Sequence, residues 1–116
     1  MSPPLGPYTP VVRAGDWLIV SGQLGLLDGA LVNGGVAAEV RQALLNMATL
    51  LEAEGASLSS VVKTTVFLRH ISDYAAMNEA YIEGFGDHRP ARAAVAVSDL
   101  PMHGLVEIEA WAYVPG

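Results

Sequence analysis

Cysteine is absent from this chain, which removes a disulfide framework, a thiolate nucleophile and a zinc–thiolate site together. Charge is scarce as well: 16% of the 116 residues are charged, against roughly 25% in ordinary soluble domains. Basic residues are the scarcest. Six lysines and arginines against twelve acids give a net charge of −6 and a pI near 4.8, and the six form no patch. That balance argues against binding DNA or RNA through the phosphate backbone, so no nucleic-acid partner is expected. No apolar run approaches the ~18 residues that cross a bilayer, and no membrane partner is expected either. The 52% hydrophobic content therefore needs another outlet. A subunit interface is the remaining one, and the sequence predicts a homo-oligomer. The glycine-rich stretch 25–35 has neither dinucleotide spacing nor a phosphate-loop lysine, which argues against a nucleotide site. His70, His88 and His103 lack ligand-like spacing and are expected on the surface, so no metal site is expected. MSPPLGPYTP lacks the basic and apolar parts of a signal peptide, and a cytoplasmic protein is the default expectation.

The length suits one domain over residues 1–116. Residues 1–10 carry four of the seven prolines and read as an arm, with Tyr8 either a surface aromatic or a hydroxyl donor aimed into a site. A hairpin is predicted from Val11–Ala14 and Trp17–Gln23 around Gly15–Asp16. Gly22, in Ser21-Gly22-Gln23, marks either a bulge or a place where a ligand comes close. A short strand is possible near Ala30–Val32. Val36, Val40, Leu44, Met47 and Leu51 predict a helix over Val36–Glu54, with Glu39 favoured by the helix dipole and Gly55 as its C-terminal cap. Ser59–Arg69 reads as a strand apolar on both faces, in which Lys63 pairs with an acid at the rim. A second helix, capped by Ser72, buries Tyr74, Met77, Asn78, Tyr81 and Phe85. Asn78, a polar group on that stripe, needs partners, structural or ligand.

Pro90–Ala110 carries the most chemistry. Ala91–Val97 and Leu105–Tyr113 read as two strands joined by a turn at Pro101 and Gly104. On the first, Arg92 sits among alanines, Ala94 and Ala96 sharing its face, which leaves open space above a guanidinium suited to gripping a carboxylate in bidentate fashion. On the second, Glu107 and Glu109 share a face and offer acid–base chemistry. Arg92 and Glu107 then either line a small crevice or form a simple cross-strand ion pair. The element order predicts an α+β fold: two helices over one face of an antiparallel or mixed sheet, with the other face buried against copies of itself.

Gly6-Pro7-Tyr8, Val20-Ser21-Gly22-Gln23, Arg41-Gln42, Val62-Lys63-Thr64-Thr65-Val66-Phe67-Leu68, Met77-Asn78-Glu79-Ala80-Tyr81, Pro90-Ala91-Arg92, Leu100-Pro101 and Val106-Glu107-Ile108-Glu109-Ala110 occur in that order. As an ordered set they resemble the Rid/YjgF-type reactive-intermediate (imine/enamine) deaminases over nearly the whole chain. The resemblance implies a chorismate-mutase-like fold and a homotrimer with a barrel-like core and interface clefts. It also implies hydrolysis of 2-aminoacrylate and related 2-imino acids to 2-keto acids and ammonia, without a cofactor. It gives Arg92 the substrate carboxylate and Glu107 the attacking water, with Tyr8, Ser21, Gly22 and Asn78 lining or holding the pocket and Ala94 among the substrate contacts. The chain departs from the family pattern at Ala94, often cysteine in deaminating members, at Arg89, usually aromatic, and at Leu24, usually proline. The loop before Pro90 is also shorter. Two alternatives to the deaminase stand beside it: a non-catalytic keto-acid binder using the Arg92 cleft, and a hydrolase for a different pathway intermediate.

Overall fold

The computed structural model describes residues 3–116; Met1 and Ser2 of the expected arm lie outside them. Strands β1 (Val11–Ala14) and β2 (Trp17–Gln23) form the predicted hairpin, turning at Gly15 with φ +60°. Two short strands, β3 (Leu26–Leu27) and β4 (Ala30–Leu31), pair only with each other. Then come helix α1 (Gly35–Ala53), β5 (Val61–Leu68), helix α2 (Tyr74–Phe85), β6 (Ala91–Ala96) and β7 (Val106–Tyr113). The main sheet has the order β1-β2-β7-β5-β6, parallel between β5 and β6 and antiparallel elsewhere. A parallel pair needs a crossover, and α2 supplies it.

Both helices pack on one sheet face, as the α+β reading predicts. Val36, Val40, Ala43, Leu44, Met47 and Leu51 from α1 and Met77, Ala80, Tyr81 and Phe85 from α2 meet Leu18, Val20, Val66, Leu68, Val106, Ile108 and Ala110. The helix end follows the glycine logic: Gly55 has φ +77°, its N–H donates to Glu52 O, and the Ala56 N–H donates to Leu51 O. Where the helices cross, a Cβ on Gly84 would run into Leu44 Cδ1. Helix propensity alone favours alanine over glycine by up to ~1 kcal/mol, whereas overpacking a core costs about 1–3 kcal/mol. Gly84→Ala is therefore expected to lower the melting temperature, and an unchanged or higher one would contradict the close crossing. The Arg41–Glu83 pair beside it, at 3.1 Å with both side chains over half exposed, contributes at most ~1 kcal/mol. Apolar contact holds the helices together.

Several expectations change. The two strands of Pro90–Ala110 are not neighbours, because β5 lies between β6 and β7. No cross-strand Arg92–Glu107 pair exists within the chain. A register shift between Val61 and Lys63 turns Val61 inward and leaves Val62 45% exposed. Lys63 makes no ion pair among the described residues. Ser72 lies inside a 3-10 turn, Ile71–Asp73, and α2 starts at Tyr74, which is 42% exposed rather than buried. His88 is half-buried, its Nε2 at 2.6 Å from Val61 O. Glu39 is buried, and its Oε1 accepts the Leu105 N–H at 2.8 Å, fixing the entry to β7.

Candidate functional site

The predicted site residues fall into two groups on opposite faces of the sheet. Arg92 on β6 is in register with Thr64 on β5, whose hydroxyl bonds the Tyr81 hydroxyl at 2.7 Å. Arg92 therefore points toward the helices, at the edge of the sheet. There α2 clasps it: Nη1 donates to Asn78 Oδ1 at 2.8 Å and Nη2 to the Tyr74 hydroxyl at 3.1 Å. Nη1 also contacts Met77 Sδ at 3.7 Å, and the guanidinium carbon stands 4.9 Å from the Tyr81 ring centre. Tyr74, Asn78 and Tyr81 are i, i+4 and i+7 on one helical face, so a single turn pattern builds the clasp. Asn78 has thus found its partner. Burial raises the Tyr81 hydroxyl pKa, opposed by the Thr64 hydrogen bond and the Arg92 charge. Ala94 follows on the same face, half-buried against the core.

Glu107 belongs to the other face. It alternates with the core residues Val106 and Ile108, so it points away from the helices. It opens on a cavity of about 550 Å³ whose walls include Tyr8, Ser21, Gly22, Gln23 and Glu109. The β2·β7 pairing shifts register between Val20 and Gln23, which is the bulge, one of the two readings open at Gly22. A Cβ on Gly22 would sit 2.7 Å from both Cδ and Oε1 of Glu107, so only glycine leaves that carboxylate its room. The Ser21 hydroxyl donates to Thr9 O at 2.7 Å and the Ser21 N–H to Pro10 O, tying the proline-rich arm along the cavity rim. The Tyr8 hydroxyl accepts the Leu5 N–H at 3.2 Å within that arm. Burial raises the Glu107 carboxyl above its ordinary range, and the Glu109 carboxylate adds to the rise.

Tyr8, Ser21, Gly22 and Glu107 therefore come together, and Arg92, Asn78 and Ala94 come together, but the two groups do not meet in one chain. The sequence reading missed Tyr74, Met77 and Tyr81 as partners of Arg92, because each also fits an apolar stripe. It gave no role to Asn46 either, whose buried amide donates to Leu24 O at 3.2 Å and Leu26 O at 2.9 Å beneath the cavity. No group of three or more metal-ligating side chains occurs among the described residues.

Comparison with known proteins bears on this arrangement. The family model described as Endoribonuclease L-PSP matches residues 1–114. A RutC family protein of Pyrococcus horikoshii is 46% identical over 112 residues, covering 95% of this chain and 89% of that protein. The 2-iminobutanoate/2-iminopropanoate deaminase of Homo sapiens is 46% identical over 110 residues, covering 93% of this chain and 80% of that protein. The crystal structure of RidA from the Antarctic bacterium Psychrobacter sp. PAMC 21119 superposes with a TM-score of 0.92 at 38% identity, over 97% of this chain and 92% of that one. The fold is accordingly chorismate-mutase-like, and the chain belongs to the Endoribonuclease L-PSP family, that of the YjgF and RidA proteins.

Proposed function

We propose that the protein hydrolyses small 2-imino acids and their 2-enamino tautomers, of the 2-aminoacrylate type, to 2-keto acids and ammonia. The observation that carries this reading is a guanidinium fixed by α2 and, on the opposite sheet face, a half-buried carboxylate lining a cavity. Arg92 binds the permanent carboxylate of the substrate, the only charge that every 2-imino acid presents. Glu107 takes a proton from water as that water attacks the electrophilic imine carbon. The carboxyl just formed protonates the nitrogen of the adduct, and on collapse Glu107 passes the hydroxyl proton to the same nitrogen, so that the carbonyl forms as the C–N bond breaks and ammonia departs. Oxygen comes from water and nitrogen leaves as ammonia, so no cofactor enters the balance. Holding both reactants in one cleft supplies much of the acceleration.

Since Arg92 and Glu107 face opposite sides of the sheet, the cleft is built between copies of the chain. The face that carries Glu107 supports such an assembly. It also carries Val12, Val62, Val95, Trp111 and Tyr113, each 44–47% exposed, with Trp17 packed edge-on to Trp111 at 5.9 Å and to Tyr113 at 5.1 Å. Three such faces turned inward form a homotrimer with a barrel-like core, and light scattering is expected to give three chains per particle. A stable monomer would contradict the interface cleft. RNA cleavage, which the family model's description suggests, is disfavoured by the net charge of −6 and by a cavity wall carrying Glu107 and Glu109 but neither lysine nor arginine.

The test generates imino acids in place with a serine/threonine dehydratase or an amino-acid oxidase, with semicarbazide as the competing trap. Added protein is expected to speed keto-acid formation and lower the trapped fraction. No acceleration with either small or bulky imino acids would overturn the reading.

A further inference from the structure

Arginine has five N–H donors, and which of them stay free decides how a carboxylate can dock. Nη1 spends its two on Asn78 Oδ1 at 2.8 Å and Met77 Sδ at 3.7 Å. Nη2 spends one on the Tyr74 hydroxyl at 3.1 Å. Both terminal nitrogens are thus engaged from α2, while the Nε–H, on the side where a carboxylate can bind Nε and Nη2 together, meets no acceptor among the described residues. The Tyr81 ring, 4.9 Å from the guanidinium carbon, and the Tyr74 ring, 5.6 Å away, restrict its tilt.

We propose that Tyr74 is a positioning residue for substrate binding: its hydroxyl, with Asn78 and Met77, anchors the two terminal nitrogens of Arg92 on α2 and so holds the Nε side of the fork toward the substrate carboxylate. The proposal rests on the deaminase reading above and adds to it the edge used and the side chain that selects it. Without the hydroxyl, Nη2 loses its anchor on α2, the fork is no longer held at one angle, and the carboxylate meets donors that it must first align.

The test is Tyr74→Phe, which keeps the ring and removes one oxygen from a 42% exposed side chain, so folding is expected to survive. KM for the imino acid should rise about tenfold, the scale of one lost hydrogen bond to a charged group, with kcat within about twofold. Pyruvate binding, read by calorimetry without turnover, should weaken by a similar factor. In an Arg92→Lys background, where no planar fork remains to be oriented, Tyr74→Phe should change pyruvate binding by less than about twofold. An unchanged KM and pyruvate affinity in Tyr74→Phe would overturn the proposal, as would an equal loss in both backgrounds. The two readings fail separately. If the wild-type protein binds pyruvate but turns over no imino acid, the deaminase reading falls while the calorimetric comparison still decides the role of Tyr74.

Discussion

Arg92→Ala is expected to lose about 30- to 5,000-fold in kcat/KM for imino acids, because truncating one partner of a desolvated charge pair costs roughly 2–5 kcal/mol. The loss includes the substrate carboxylate left without a partner in the cleft. Folding and assembly should survive. Arg92 sits on the edge strand β6, and the groups it leaves, Asn78 and the Tyr74 hydroxyl, are partly exposed and can turn to water. Circular dichroism and light scattering on the variant separate loss of grip from loss of fold. Full activity in a folded Arg92→Ala protein would remove the carboxylate grip from the mechanism.

Glu107→Gln is expected to separate rate from affinity and from stability. Removing the general base should cost about 10²–10⁴ in kcat, with pyruvate binding nearly unchanged. The raised carboxyl pKa fixes two further signs. As a base Glu107 must be ionised, so wild-type activity should fall, on acidification, at a higher pH than for an unperturbed carboxylate. In stability the folded state holds this proton more tightly than the unfolded chain. The Glu107 contribution is therefore most favourable below the unfolded pKa and is lost as pH rises through the raised folded pKa. At neutral pH the variant should accordingly melt no lower than wild type, and higher if the desolvation dominates. Equal losses of rate and of pyruvate affinity would instead assign Glu107 a structural role.

Local patterning was legible in the sequence because it obeys short-range rules. The α1 stripe from Val36 to Leu51, the hairpin at Gly15 and the glycine end at Gly55 each follow from spacing or backbone freedom within a few residues. Arg92 among alanines and Glu107 beside Glu109 were legible as candidates for the same reason. Their relation was not. The faces of two strands can be compared only once their partners are known, and the sequence order hid the insertion of β5 between β6 and β7. That insertion follows from the β5-α2-β6 crossover, which makes a parallel pair and leaves β7 to close on the other side of β5. The Arg92 clasp was hidden differently: Tyr74, Met77 and Tyr81 satisfy an apolar stripe and a cation shell equally well, and only the side-chain contacts separate the two.

The central claim is that a working cleft takes Arg92 from one copy and Glu107 from another. Mixing Arg92→Ala and Glu107→Gln proteins, each inactive alone, under conditions that let subunits exchange tests it most directly. If each site draws on two neighbouring chains of a trimer, random reassembly of equal amounts restores about a quarter of the wild-type sites, and activity should recover to that level. No recovery, with subunit exchange verified by mass spectrometry, would place both residues of a site in a single chain and contradict the account.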